Sequence, residues 1–172
     1  LFELRPFLWI KKKKIDLYAD PKTLALLKKR FNYCFKKTNY YPPIVKGNLI
    51  KKKFSLGKYS EKINFKTMQA KHGAVKSTII VFNKTAYISD CNDLSIINAK
   101  MLKNLKYLII DCLKLKKNFS HFSLNESIFI HNSIKPKKTI LTNLHSDLDY
   151  KFLLKILPNN VLPAYDGLNL NI

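Results

Sequence analysis

Residues 78–90 read Thr-Ile-Ile-Val-Phe-Asn-Lys-Thr-Ala-Tyr-Ile-Ser-Asp, and this stretch decides the architecture of the chain. Two apolar, β-branched runs, Thr78–Phe82 and Ala86–Ile88, flank Asn83-Lys84, a pair that suits a tight hairpin turn. The second run then delivers a carboxylate, Asp90, at its C-terminal end. Burying a carboxylate there is costly unless a cation or hydrogen-bond donors compensate. A metal ion would do so. An Asp that caps the next turn beside Asn92 and Asp93 is, on these residues alone, an equally good reading.

Upstream of that hairpin, Ile63, Phe65 and Thr67 alternate with polar neighbours as a strand does. His72-Gly73 follows it, and a glycine lets the chain bend sharply enough for the imidazole to project from a turn. Further back, Ile15, Leu17 and Tyr18 form a short strand that ends at Asp20-Pro21, a helix N-cap followed by proline at the first helical position. Leu24, Leu27 and Phe31 then place one apolar face on a surface helix. From Thr38 to Lys53 the composition shifts to Asn, Tyr40-Tyr41 and Pro42-Pro43, which argues against a regular ladder. The segment reads as an excursion or flap, and within it Tyr40-Tyr41-Pro42-Pro43 reads either as a substrate flap or as a contact between two copies in a homodimer.

Downstream, strands alternate with helices. Tyr107–Cys112 is an apolar strand, and Ser123-Leu124-Asn125-Glu126 has the S-x-x-E form of a capping box, so a crossover helix follows. Thr139–Leu141 is the next strand. Residues 147–157 place Leu148, Phe152 and Ile156 on one helical face before Pro158, and Leu168, Leu170 and Ile172 alternate with Asn as a closing strand. Strand–helix alternation of this kind is the α/β class.

Only four histidines occur, and His72, His121 and His145 sit at strand ends or in the loops just after, where α/β proteins gather their sites. His121 precedes the Ser123 capping box, near a helix N-terminus whose amides favour an anion such as a substrate phosphate. In Thr142-Asn143-Leu144-His145-Ser146-Asp147, the N-cap role suits Ser146 or Asp147, which frees His145 to face a cleft. His131 lies within the predicted helix and is read as structural.

The chain has 172 residues, 47% of them apolar, which suits one domain with a real core over residues 1–172. Cys34, Cys91 and Cys112 leave an odd thiol in any disulfide scheme, so a reducing cytoplasm fits best. No apolar run approaches the roughly 20 residues that span a bilayer, and no membrane partner is expected. The net charge of +21 accompanies abundant Asn, Ile, Phe and Tyr and only four Gly, a profile of coding biased towards A and T. Such a charge attracts nucleic acid non-specifically at low salt. The tracts Lys11–Lys14 and Lys51–Lys53 are short and lack interleaved aromatics, so a solvated surface explains them better than a dedicated nucleic-acid platform.

Taken in order, His72-Gly73, Tyr87-Ile88-Ser89-Asp90, Leu108-Ile109-Ile110-Asp111-Cys112, Ser120-His121-Phe122-Ser123, Thr142-Asn143-Leu144-His145 and Pro163-Ala164-Tyr165-Asp166-Gly167 resemble the metallo-β-lactamase superfamily, and within it the phosphoribosyl cyclic phosphodiesterase branch. The opening Leu4-Arg5-Pro6-Phe7 is similar to the segment that follows the family's H-x-H-x-D-H loop, a loop that these residues do not contain. The resemblance implies a four-layer αββα sandwich whose N-terminal part is missing. It also implies two divalent metal ions, zinc or manganese, with His72, Asp90 and a last ligand in residues 142–145 supplying a minority of the protein ligands. Many relatives carry His where this chain has Asn143; since residues i and i+2 of an extended segment share a side, His145 is expected to take that place. Asp90 would bridge the ions, and His121 would sit at the phosphate of a small phosphodiester substrate, stabilising charge or protonating the leaving oxygen. Partial or no metal occupancy and little activity are expected of these residues alone. The competing readings are a non-catalytic remnant of the fold and a basic RNA-binding or RNA-processing protein.

Overall fold

In the computed structural model, which describes residues 1–172 with the exception of the Phe2 side chain, the chain divides into two units, Leu1–Lys51 and Lys52–Ile172.

Local chemistry shapes the first unit. Helix α1 (Arg5–Lys11) carries Pro6 in its first turn, where the missing N–H costs nothing. Strand β1 (Ile15–Ala19) runs into Asp20, whose carboxylate accepts the backbone N–H groups of Lys22 at 3.0 Å and Thr23 at 3.2 Å and so starts α2 (Pro21–Arg30). Hydrogen bonding to its charged form holds the Asp20 carboxyl below the usual value, with the Thr23 contact foremost. A short α3 (Asn32–Phe35) follows. Strand β2 (Val45–Leu49) then lies parallel to β1, with Ile15 opposite Val45. The expectation that residues 38–53 hold no ladder is therefore corrected. Pro42 and Pro43 stand just before the paired segment, so they remove no ladder hydrogen bond from it. Cys34, Ile44 and Val45 centre a small core with Ile15, Leu17 and Phe35 around them.

The second unit is built on one seven-stranded sheet in the order β3-β4-β5-β6-β7-β8-β9. Strands β3 (Lys53–Leu56), β4 (Ile63–His72), β5 (Val75–Phe82) and β6 (Thr85–Ile88) pair antiparallel. The turn from β5 to β6 is Asn83-Lys84, with φ of 44° and 58°, and Phe82 faces Thr85 across it. Two successive positive φ angles are what a two-residue turn matched to strand twist requires.

From β6 onward the pairing changes hand. Strands β7 (Tyr107–Asp111), β8 (Lys138–Thr142) and β9 (Val161–Pro163) all run parallel to β6. Parallel neighbours need crossovers. Helix α4 (Leu124–Ile134) supplies the one between β7 and β8, opened by the expected capping box of Ser123 and Glu126, and α5 (Tyr150–Ile156) supplies the next. The α5 helix starts at the Asp149 cap, whose carboxylate accepts Phe152 N–H at 2.8 Å, three residues later than the apolar spacing suggests. Residues 168–172 are not the closing strand; that role belongs to Val161–Pro163. Three residues with apolar side chains show no alternation for the eye to find, whereas the Leu-Asn alternation at the end joins no strand among the described residues.

Ile79, Ile88, Leu108, Ile110, Phe122 and Leu141 are buried in one apolar core that fixes the strands of this sheet. All three cysteines are free and buried. Burial pushes the Cys91 and Cys112 thiols up to about 12, so both stay neutral and unreactive. No helix among the described residues is long and apolar enough to cross a membrane.

Candidate metal centre

The register of the parallel strands brings three segment ends to one edge, because Ile88 faces Ile110 and Asp111 faces Thr142. Asp90, Asp111 and Asn143 therefore leave the sheet side by side. This is the carboxyl edge, where open α/β sheets bind their ligands.

His72 reaches this edge as the last residue of β4, not from a turn beyond it. Gly73, at φ 57°, makes the bend. A Cβ on Gly73 would come within 2.8 Å of the Phe119 ring and 3.1 Å of Ser120 Cβ, so glycine lets the 118–121 loop close over the β4–β5 turn. Asn92 completes that closure: its side chain accepts Gly73 N–H at 3.1 Å and donates to the Phe119 carbonyl at 2.7 Å. Two imidazoles meet as a result. The rings of His72 and His121 stand 4.7 Å apart and nearly perpendicular.

His72 Nδ1 lies 2.7 Å from the Ser120 carbonyl oxygen. A carbonyl only accepts, so Nδ1 carries the hydrogen and Nε2 of the neutral ring is bare. A second contact of this type, from the non-ligating nitrogen to a carbonyl or carboxylate, is the ordinary support of a metal-binding histidine. Asp90 is half exposed, receives the Ser89 hydroxyl at 2.9 Å, and places Oδ1 3.9 Å from His121 Nδ1. One ligand atom from each of His72, Asp90 and His121 lies within 4.8 Å of the others. A mixed nitrogen and oxygen set of this kind fits a divalent metal ion.

Behind this group stands Asp111, a residue quoted above only as part of a strand. It is fully buried and accepts three donors: Cys91 N–H at 3.1 Å and His121 Nδ1 at 2.8 Å on Oδ2, and Asn143 Nδ2 at 3.1 Å on Oδ1. Desolvation pushes its carboxyl upward in pKa, and the same three hydrogen bonds oppose that shift. The signal that could have found it is the one that singled out Asp90, a carboxylate ending an apolar strand.

His145 does not join the group. Its backbone N–H donates to the Leu113 carbonyl and its exposed ring pairs with Asp147 at 3.0 Å. Asn143 instead points to Asp111 and His121. Side chains two places apart share a side only along an extended segment, but Asn143 has φ of 62°, and a left-handed residue breaks that alternation. Two of the helix amides beside His121 are also committed: Leu124 N–H donates to the Lys114 carbonyl and Glu126 N–H to the Ser123 hydroxyl. What His121 brings to the edge is its ring. His131 is structural, buried within α4 against Thr139 Oγ1 at 2.8 Å, and burial lowers its pKa.

The same chain matches known proteins along most of its length. Residues 1–143 match the family model described as a Beta-lactamase superfamily domain, and the chain belongs to that superfamily. A crystal structure described as a new diphosphatase from the PhnP family superposes with a TM-score of 0.82 at 26% identity, over 99% of this chain and 65% of that one. The metallo-beta-lactamase fold protein YhfI from Bacillus subtilis superposes at 0.69 with 16% identity, over 97% of this chain and 70% of that one. A curated Octanoyltransferase of Porphyromonas gingivalis is 26% identical over 171 residues, 98% of this chain and 34% of that protein. The chain thus spans about a third of that curated relative and just under two thirds of the diphosphatase. Its fold is of the metallo-β-lactamase type.

Proposed function

We propose that these 172 residues are the larger part of one metallo-β-lactamase domain that hydrolyses a small phosphodiester or diphosphate with divalent metal ions, zinc or manganese. The observation that carries the reading is the convergence of His72, Asp90 and His121 within 4.8 Å of one another at the carboxyl edge of the sheet. The likeness to a diphosphatase at 26% identity supports the substrate class.

In this reading His72 and Asp90 hold metal. Bound there, the ions lower the pKa of water and neutralise charge that grows on the phosphoryl oxygens. The protein supplies the rest. Asp90, tied by Ser89, keeps one carboxylate oxygen towards the cluster. His72, fixed by the Ser120 carbonyl through Nδ1, would have Nε2 left to hold an ion. His121 stands beside them to stabilise phosphoryl charge or protonate the leaving oxygen. Asn143 occupies the place of the last ligand, where an amide binds a cation more weakly than an imidazole. An H-x-H-x-D-H loop, absent from these residues, would contribute further ligands in a longer protein. The free, buried cysteines suit a reducing cytoplasm, and association with nucleic acid through net charge is background.

The test is metal analysis and hydrolysis of cyclic phosphodiesters and diphosphates by the chain and by a longer protein that carries it together with such a loop. Turnover that chelation abolishes and zinc or manganese restores is the expected result in the longer protein, with weak metal uptake and little activity in the 172 residues alone. Asp90→Ala should lower kcat by about 10³-fold, roughly 4 kcal/mol of transition-state stabilisation. Absence of both bound metal and hydrolysis in the longer protein would end the reading.

A further inference from the structure

We propose that Asp111 is a positioning residue, holding His121 in its Nδ1–H tautomer so that Nε2 is the nitrogen left to meet a substrate oxygen. The role builds on the reading of His121 as a group of the hydrolytic site, but the contacts that argue for it stand by themselves.

Three atoms crowd His121 Nδ1: Asp111 Oδ2 at 2.8 Å, Asn143 Nδ2 at 3.2 Å and Asp90 Oδ1 at 3.9 Å. Two of them are carboxylate oxygens. A bare lone pair on Nδ1 would face both of these negative groups, whereas a hydrogen there is attracted by each. The Asn143 amide gives one hydrogen to Asp111 Oδ1, and its second could reach a bare Nδ1 only over 3.2 Å, so the 2.8 Å contact with the Asp111 carboxylate decides which way Nδ1 is used. Cys91 N–H adds a third donor to the same carboxylate. An ionised carboxylate sealed from water is costly unless donors surround it, and His121 supplies the shortest of these hydrogen bonds.

The consequence is a division of labour within one ring. Nδ1 faces the protein, and Nε2 is the only nitrogen free to exchange a proton or hydrogen bond with a ligand. When His121 is neutral, Nε2 accepts. When it is charged, Nε2–H donates while Asp111 faces the opposite side of the ring. A buried aspartate that orients a histidine and sets its tautomer performs the same task in hydrolytic triads.

A purely structural Asp111 would need only the Cys91 and Asn143 donors and would leave the His121 tautomer unbiased. The discriminating measurement is therefore imidazole ¹⁵N NMR of the metal-free chain at mildly alkaline pH, with the His121 signals assigned by their loss in His121→Gln. The expected result is a protonated Nδ1 and a bare Nε2 in the unmodified chain. Asp111→Ala should shift His121 towards the Nε2–H form while His72, held by the Ser120 carbonyl, keeps its pattern and reports that the site is still folded. An Nε2–H form of His121 in the unmodified chain overturns the proposal, whether or not the variant folds. So does an unshifted His121 in a folded Asp111→Ala. In a longer, active protein, Asp111→Asn should lower kcat about 10²-fold with KM and metal content within about twofold; a change confined to KM would count against it. If no form hydrolyses a phosphodiester, the proposed function falls while the tautomer result keeps its meaning.

Discussion

Strands β6, β7 and β8 are entered from lysines and left through acids and amides. Lys84, Lys106 and Lys137 each immediately precede a strand, while Asp90, Asp111 and Asn143 end or follow the same three strands. At the entry edge the lysines line a shallow hollow with Asn104, Leu105 and Lys135. Their charges are alike, and the contacts described there are to neutral groups: Lys106 Nζ donates to the Asn171 carbonyl and lies 5.2 Å from the centre of the Tyr107 ring. At the exit edge the groups are unlike, so they converge, with His121 between two carboxylates and His72 against its ring. The difference shows that the charge of +21 says little about chemistry here. A site needs donors and acceptors that complete one another, and an array of like charges completes nothing.

Removing what both edges share should produce the largest effect. Leu108 is fully buried in β7, the strand that Lys106 precedes and Asp111 ends. Leu108→Ala is expected to cost about 3 kcal/mol in denaturant unfolding. Loss of less than about 1 kcal/mol would mean that the two edges do not rest on one packed core.

A smaller change should touch the exit edge alone. Ser123→Ala removes the capping box of α4, two residues beyond His121, and should lower stability by about 1 kcal/mol. The His121 ring contact with His72 would loosen with it, which NMR of the two rings can follow. An unchanged stability would show that the loop holds its shape without the cap.

The smallest effect belongs to the entry edge. Replacing Lys84, Lys106 and Lys137 together by Gln should change stability by less than about 0.5 kcal/mol per site. Binding to a polyanion such as heparin should weaken, with a log–log salt slope shallower by roughly 2 to 3. Any hydrolytic activity should be untouched. A collapse of activity in this variant would erase the distinction between the edges.

Much of this was legible in residues close together along the chain. Asp20-Pro21, the Ser123–Glu126 box and the Asn83-Lys84 turn act over one to three residues, and the structure shows each as the residue types predict. The last strand and the β1–β2 pair were not legible, since β9 is too short for a period and β2 follows two prolines that read as a break. In the site, Asp90 and His72 stood out by their places at strand ends. Asp111 did not, although it ends its strand in the same way.

Backbone preferences, capping and apolar periodicity are properties of neighbouring residues, so the primary structure by itself determined most of the elements, with β2 and β9 the exceptions, and the family to which the chain belongs. It also confined the chemistry to the strand ends. Which side chains meet was decided only by folding: His72 finds Ser120 across 48 residues, Asn143 finds Asp111 across 32, and a left-handed backbone at Asn143 turns His145 away. Hydrogen bonds and ligand sets depend on distances of a few ångströms in space, and separation along the chain carries no information about those until the sheet has set its register.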